Sequence, residues 1–233
     1  MTVIVSVNGL NKTFGRKPVL RELDFELESG RIIGLMGPNG AGKTTLIKTL
    51  MNIYHADSGQ IWICGEPVSQ GTKGLISYMP DKNHLYSWMR VRDAIHYYTD
   101  MFGDFNAVRA KELCSSLRID ESEKVRALSK GFLERLLIML TLSRNSRLYL
   151  LDEPIGGIDP LEKELVLKTI LSGLNEDSTI LLATHLIKDV ETVIDDVMFI
   201  HEGKLIFSDT AENIREKRSQ SIEECYLEVL KNA

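Results

Sequence analysis

Apolar and polar positions alternate with a period of two in the first part of the chain. Residues 3–7 (VIVSV) and 19–27 (VLRELDFEL) show this pattern, and residues 58–65 (SGQIWICG) form a further apolar run bounded by glycines. Alternation of this kind is typical of half-buried strands, because successive side chains of a strand point to opposite faces. We therefore predict an antiparallel sheet built from these segments.

Other short segments are almost continuously apolar, namely residues 31–36, 75–79, 148–153 and 179–184. Such runs predict strands that are buried on both faces, as in a parallel sheet. Residues 197–200 and 204–207 add a predicted hairpin that turns at residues 201–203. The pattern favours an α/β fold with a parallel sheet.

The middle of the chain changes to helical spacing. From about residue 85 to residue 142 apolar side chains recur every three or four positions, as at Val91, Ile95 and Tyr98. We predict a helical insertion here. Residues 211–233 are charged, with apolar residues at helical spacing, and predict one amphipathic helix.

Composition narrows the class of protein. The chain has 233 residues, 43% of them hydrophobic, and a net charge of −5, which suits one large domain or two small ones. Lys and Arg are scattered, so neither nucleic acid nor a membrane surface is an expected partner. Three cysteines without a C-x-x-C pair argue against disulfides and zinc. No apolar run approaches the roughly 20 residues of a membrane span, so we expect a soluble chain in a reducing cytosol.

Residues 37–44 (GPNGAGKT) match the phosphate-binding pattern G-x-x-x-x-G-K-[ST]. They lie between a predicted strand and a predicted helix, where backbone N–H groups and the helix N-terminus favour an anion. Lys43 is then expected to reach the β- and γ-phosphates, and the Thr44 hydroxyl to bind Mg²⁺. The motif alone leaves kinase, GTPase, motor and transport ATPase open.

Polar side chains follow two of the buried strands directly. Asp152 and Glu153 end the strand 148–153, and His185 follows the strand 179–184. Open α/β sheets place their ligands at the carboxyl ends of the strands. We therefore assign Asp152 to Mg²⁺, Glu153 to the activation of water and His185 to the γ-phosphate.

Three further positions lie beside a turn, a helix start and a strand end. Phe14 lies beside a glycine turn and can stack on a base, although by itself it favours the core. Ser129 can simply cap the following helix. Asp81 follows the strand 75–79 and enters a polar loop.

Taken together, these motifs resemble the ATP-binding subunit of an ABC transporter over nearly the whole chain. The order and spacing of Walker A (residues 37–44), signature (128–132) and Walker B (148–153) are similar to the family's. Residues 156–159 match the D-loop. The family's fold is a P-loop NTPase of ABC type, with a RecA-like parallel core, an antiparallel β subdomain and a helical subdomain. The expected boundaries are 1–80 with 146–210 for the ATP-binding core, 81–145 for the helical subdomain and 211–233 for the tail.

The resemblance also implies roles for individual residues. Glu153, His185 and Lys43 are the expected catalytic residues, and Thr44, Asp152 and Asp81 the expected Mg²⁺ ligands. Phe14 is expected to stack on adenine. The remaining expected nucleotide contacts are Gly37, Pro38, Asn39, Gly40, Ala41, Gly42, Lys43, Thr44, Thr45, Ser129, Gly131 and Asp159.

Two positions depart from the family's pattern. The signature L-S-G-G-Q is here L-S-K-G-F, which retains Ser129 and Gly131, the residues that face the partner's γ-phosphate in the family. The glutamine of the Q-loop falls at Asp81. A carboxylate there either approaches Mg²⁺ more strongly than an amide or is repelled by Asp152 and Glu153.

The resemblance implies that ATP and Mg²⁺ bind, that a second ATPase subunit completes the site and that a separate transmembrane permease is the partner. The chain would then lie at the inner face of the cell membrane. Lys130 and the tail segment 221–228 are similar to ATPases of the ABC-2 type exporter group. The alternative function is a nucleotide-dependent regulatory module with little or no hydrolysis. A GTPase is disfavoured because no N-K-x-D motif is present.

Overall fold

A six-stranded sheet forms the centre of the computed structural model, which describes residues 2–232. Its strand order is β10-β9-β3-β8-β7-β6. Neighbouring strands are parallel except for the hairpin of β9 and β10. The strands are β3 (Ile32–Met36), β6 (Ile76–Met79), β7 (Leu148–Asp152), β8 (Thr179–Thr184), β9 (Asp196–His201) and β10 (Lys204–Thr210). The predicted parallel sheet and the predicted hairpin are confirmed.

A second, antiparallel sheet has the order β2-β1-β4-β5. Its strands are β1 (Val3–Phe14), β2 (Lys17–Glu28), β4 (Ser58–Ile63) and β5 (Glu66–Pro67). β1 is much longer than the predicted strand at residues 3–7. Its register with β2 shifts between Val7 and Leu10, so the period-two pattern ends there while strand pairing continues.

Eight α-helices are described within residues 2–232. They are α1 (Lys43–Leu50), α2 (Val91–Met101), α3 (Ala107–Ser116), α4 (Lys130–Leu142), α5 (Pro160–Gly173), α6 (Ile187–Val190), α7 (Ala211–Lys217) and α8 (Ile222–Asn232). The tail was predicted as one helix and forms two, α7 and α8. Ser219 between them has a positive φ of 52°, which a continuous α-helix does not accommodate. None of the helices within residues 2–232 has the length and apolar character needed to cross a bilayer.

β3 separates two hydrophobic clusters. Ile33 and Leu35 pack with the antiparallel sheet and α1, whereas Ile32 and Met36 pack in the cluster that contains α2 to α5. This division follows from the alternation of side chains along a strand. The predicted helical insertion therefore shares one core with the six-stranded sheet.

Candidate functional site

The phosphate loop connects β3 to α1. Gly40 and Gly42 have positive φ angles of 83° and 113°, and a Cβ atom on Gly37 would lie 2.2 Å from the carbonyl oxygen of Ile200. Glycine alone tolerates these positions. The loop backbone therefore passes directly over the end of β9 and opens α1 at Lys43.

Lys43 is folded back over this loop and is only 6% exposed. Its Nζ donates to the carbonyl oxygens of Gly37 at 2.7 Å and Pro38 at 3.4 Å. The Oε1 atom of Glu153 lies 3.4 Å from the same nitrogen. The ammonium group is thus fixed beside the loop, with a carboxylate as its counter-charge.

Asp152 faces Thr44 at the carboxyl end of β7. Thr44 Oγ1 donates to Asp152 Oδ1 at 3.1 Å, and within residues 2–232 the buried Oδ2 has no hydrogen-bond partner. Burial raises the pKa of Asp152, and the nearby carboxylates of Asp81 and Glu153 raise it further. A hydroxyl group beside a carboxylate with a free oxygen suits Mg²⁺, which binds oxygen ligands and would relieve this unpaired charge.

Glu153 is held by the end of β8. Its Oε2 accepts from Thr184 Oγ1 at 2.9 Å and from the His185 backbone N–H at 3.4 Å, and its Oε1 lies 3.0 Å from His185 Nδ1. The backbone of Glu153 has a φ of 53°, a region that non-glycine residues rarely adopt. Such strain is often found at functional sites, where the surrounding structure enforces it.

Lys43, Thr44 and Glu153 line a cavity of about 550 Å³, whereas Asp152 and His185 do not line it and reach it only through their bonds to Thr44 and Glu153. Among the predicted residues, its lining includes Asn39, Gly40, Gly42, Lys43, Thr44, Thr45, Asp81 and Glu153. Four residues of β2 and two of the β9–β10 turn also line it: Lys17, Pro18, Val19, Arg21, Glu202 and Gly203. Gly37, Pro38 and Ala41 belong to the loop but do not line the cavity.

Phe14 lies at the end of β1 and does not line the cavity. It is 43% exposed, so the core location that the residue by itself favoured is wrong. Its ring makes an edge-to-face contact with Tyr54, with centroids 5.0 Å apart. Asp57 supports this segment, since it accepts from Lys12 Nζ at 2.9 Å and from the Thr13 N–H at 2.6 Å. These bonds lower the pKa of Asp57, the bond from Lys12 most.

Ser129, Gly131 and Asp159 also lie outside the cavity of their own chain. Ser129 Oγ accepts from the Phe132 N–H at 3.3 Å and caps α4, as predicted. A Cβ atom on Gly131 would lie 3.0 Å from Cγ of Glu162 in α5. Asp159 caps α5 by accepting from the N–H groups of Leu161 at 3.0 Å and Glu162. The two caps place the signature segment and the D-loop on neighbouring helices.

Asp81 lies between this cavity and a second one. The second cavity, of about 750 Å³, shares Asp81 and Thr44 with the first and is otherwise lined largely by aromatic and basic side chains. The charge of Asp81 raises the pKa of Asp152 and, behind the effect of burial, that of Glu134. Asp81 therefore acts on the site through its charge.

Several polar residues at this site were not among the predicted ones. Thr184 could have been found, since it ends β8 directly before His185. Arg21 and Glu202 carry no motif, and only the folded chain brings them to the phosphate loop. The sequence held no local signal for them.

The chain is similar to known proteins over most of its length. The family model described as ABC transporter matches residues 20–156. The ABC transporter ATP-binding protein YtrB of Bacillus subtilis is 31% identical over 87% of this chain and 70% of its own length. The Nod factor export ATP-binding protein I of Burkholderia lata is 33% identical over 87% of this chain and 69% of its own.

A solved structure described as the ATP binding subunit of an ABC transporter is also similar. It has a TM-score of 0.88 and 26% identity, and the match covers 97% of this chain and 99% of that one. A glycine loop between a parallel strand and a helix, with acids at the end of the next strand but one in the sheet, defines the class of P-loop nucleotide-binding proteins. Within that class, the chain belongs to the ABC transporter family as an ATP-binding subunit.

Proposed function

We propose that this chain hydrolyses ATP with Mg²⁺ and thereby powers a separate membrane permease. The observation that carries this proposal is that Lys43, Thr44 and Glu153 line one cavity, with Asp152 bonded to Thr44 and His185 bonded to Glu153. The family supports the binding of ATP in general. Hydrolysis, Mg²⁺ and the roles of the individual residues are the proposed part.

Each residue has a role that follows from its contacts. Glu153 accepts a proton from water, because its carboxylate is fixed by Thr184 and His185 and faces the cavity. When ATP binds, Lys43 donates to phosphate oxygens in place of the carbonyl oxygens of the loop. Together with His185 it then stabilises the charge that develops on the γ-phosphate. Thr44 and Asp152 would hold Mg²⁺, which neutralises charge on the phosphates when bound. The charge of Asp81 acts on Asp152, and we propose that it also acts on the bound ion.

A second ATPase subunit, identical or related, completes the site. Ser129, Gly131 and Asp159 do not line the cavity of their own chain, so we propose that they serve the cavity of a partner arranged head to tail. In that arrangement the exposed N-terminus of α4 contacts the γ-phosphate bound to the partner, and this contact holds the dimer closed. Phe14 is proposed to turn from Tyr54 and stack on the adenine. The proposed scheme does not involve nucleic acid.

The direction of transport is proposed to be outward. Relatives named for Nod factor export support this, at 32% and 33% identity. The chain would act at the inner face of the membrane through its contact with the permease. Reconstitution with the permease captured from the native membrane, followed by efflux from loaded vesicles, tests the direction.

Hydrolysis is tested by phosphate release from the purified chain with Mg²⁺ and ATP. Glu153→Gln is expected to bind ATP normally and to release phosphate at least about 10²-fold more slowly, since it lacks the general base. Lys43→Ala is expected to lose ATP binding. If the parent chain binds ATP but releases no phosphate, with or without the permease, the regulatory module without hydrolysis is the better description.

Dimerisation is tested by size exclusion. Glu153→Gln is expected to elute as a dimer with excess ATP and as a monomer without it. A monomer under both conditions, together with normal ATP binding by Lys43→Ala, would remove the basis of the scheme.

A further inference from the structure

The nucleotide cavity has a polar wall that no motif describes. Arg21 of β2 and Glu202 of the β9–β10 turn line the cavity together with Gly40, Gly42, Lys43 and Thr44. One brings a guanidinium group and the other a carboxylate. Neither belongs to the phosphate loop, and Glu202 lies far from it in sequence.

The backbone fixes this wall to the phosphate loop. The Gly203 N–H donates to the carbonyl oxygen of Ala41 at 3.0 Å, and the Arg21 N–H donates to the carbonyl oxygen of Gly203 at 2.8 Å. A Cβ atom on Gly203 would lie 2.2 Å from the carbonyl oxygen of Val19. The turn is therefore wedged between β2 and the loop, and its backbone is fixed relative to the phosphate loop.

Arg21 lacks a partner for part of its side chain. Its Nε is buried and makes no hydrogen bond within residues 2–232. A buried donor without an acceptor is costly, and a guanidinium group is well suited to a phosphate oxygen. Because Arg21 also lines the cavity, its guanidinium is available to an anionic ligand there.

Glu202 has a left-handed backbone conformation, which glutamate rarely adopts. Its φ is 45° and that of Gly203 is 79°, which is the pattern of a type I′ turn, where Asn, Asp or Gly is preferred at the first position. A carboxylate beside a triphosphate would be repelled by the phosphates. Its oxygens instead suit neutral hydroxyl donors, as in dinucleotide sites where an acidic side chain binds a ribose hydroxyl.

We propose that Arg21 binds a phosphate oxygen of the nucleotide and that Glu202 accepts a hydrogen bond from a ribose hydroxyl. The two residues then set specificity: Arg21 for the charge of the nucleotide and Glu202 for its sugar. This inference rests on the proposed function only in that ATP occupies the cavity. It does not require hydrolysis or a dimer.

Calorimetric titration of the full chain with ATP and with 2′,3′-dideoxy-ATP tests Glu202. The parent is expected to bind ATP roughly tenfold more tightly than the dideoxy compound, as suits one hydrogen bond to a charged acceptor. Glu202→Gly leaves the turn favourable but removes the carboxylate, and is expected to bind the two nucleotides equally. A Glu202→Gly protein that keeps the parent's preference would overturn the role of Glu202.

Glu22→Gly is the matched control. Glu22 also has a positive φ, 48°, and is exposed on β2, but it does not line the cavity. Its replacement is expected to leave the tenfold preference for ATP intact. Loss of the preference in both variants would mean that the sugar is not recognised by Glu202 itself.

Arg21 is tested with ATP and ADP at two salt concentrations. Arg21→Gln is expected to weaken binding of both nucleotides roughly tenfold at low salt and to reduce the effect of salt, because one phosphate contact is lost. Arg16→Gln, an exposed arginine in the turn before β2, is expected to bind as the parent does. Equal affinity of the Arg21→Gln and Arg16→Gln proteins would refute the contact. A parent chain that binds no ATP at all would instead refute the proposed function.

Discussion

Asp81 brings a third carboxyl group into the neighbourhood of Asp152 and Glu153. Its charge raises the pKa of Asp152 but, within residues 2–232, it forms no hydrogen bond with Thr44 or Asp152. An amide at this position would remove the repulsion and keep a ligand oxygen. The carboxylate is therefore dispensable on electrostatic grounds.

We expect Asp81→Gln to release phosphate within about twofold of the parent rate, since general acid–base chemistry remains with Glu153. Asp100→Asn, an exposed change on α2, is the control for the loss of one charge. A fall of more than about tenfold in Asp81→Gln alone would show that the carboxylate itself is required.

Glu134 is a buried acid of α4 whose pKa is raised to about 7, by burial first and by the charge of Asp81 as well, against the effect of Lys130. Because the folded-state pKa lies above the unfolded one, folding takes up a proton between pH 4.5 and 7. Stability is therefore highest below that window and falls as the pH rises through it.

Glu134→Gln removes this cost, since an amide of equal size needs no proton. We expect it to raise the free energy of unfolding by about 1–3 kcal/mol at pH 8 and to change it little at pH 4.5. Urea unfolding at the two pH values measures this. Glu112→Gln on α3 should show no such difference between the two pH values, and an equal gain at both in Glu134→Gln would assign the effect to packing.

At the level of single residues, the sequence predicted what lies inside motifs and at strand ends. Lys43, Thr44, Asp152, Glu153 and His185 all belong to such positions, and the structure brings them together. Arg21 and Glu202 were not predictable, because their approach to the loop depends on the wedged turn. Phe14 was ambiguous, because exposure at a strand end is not encoded in its side chain.

Arg144 joins separate elements from a buried position after α4. Its guanidinium donates to the carbonyl oxygen of Ile76 at 2.7 Å and to Asp104 at 3.0 Å, and it lies over the ring of Phe102. The first contact ties it to β6 and the others to the connection between α2 and α3. One side chain thus anchors the helices to the edge strand of the sheet.

Arg144→Met is expected to lower the free energy of unfolding by about 3 kcal/mol, because it leaves a buried carbonyl oxygen and a carboxylate unpaired. Denaturant unfolding measures this. The contacts of Arg109 with the end of α5 are longer and partly exposed. Arg109→Met should therefore lower the free energy of unfolding by about 1 kcal/mol or less. Equal losses would mean that Arg144 contributes only its alkyl stem.

At the level of elements, continuous apolar runs were the most informative pattern. The strands at residues 148–153 and 179–184 are found within one residue of their predicted ends. β1 and the tail were less well predicted. The register shift in β1 ends the period-two pattern, so the second half of this strand was not predicted. In the tail, a single residue with a left-handed backbone, Ser219, divides the predicted helix into α7 and α8.

For the whole molecule, the proposed dimer makes each site depend on two chains. Ser129→Asp keeps an N-cap, so its thermal stability should match the parent's, but its carboxylate would repel the partner's phosphates. Neither Ser129→Asp nor Lys43→Ala alone is expected to release phosphate. Mixed in equal amounts, they form dimers in which one of the two sites is intact.

The mixture should therefore recover roughly a quarter of the parent's phosphate release, since half of the dimers are mixed and each has one working site. The measurement is phosphate release against the ratio of the two variants. No recovery at any ratio would show that Ser129 acts within its own chain.

Alternate side chains of β3 belong to different hydrophobic clusters, and we therefore expect the two clusters to unfold together on heating. If the helical layer melts, Ile32 and Met36 lose their partners, and the strand that also supports Ile33 and Leu35 loses its order. Neither layer then keeps an independent melting point. Calorimetry of the chain without nucleotide is expected to show a single heat-absorption peak, with equal calorimetric and van't Hoff enthalpies.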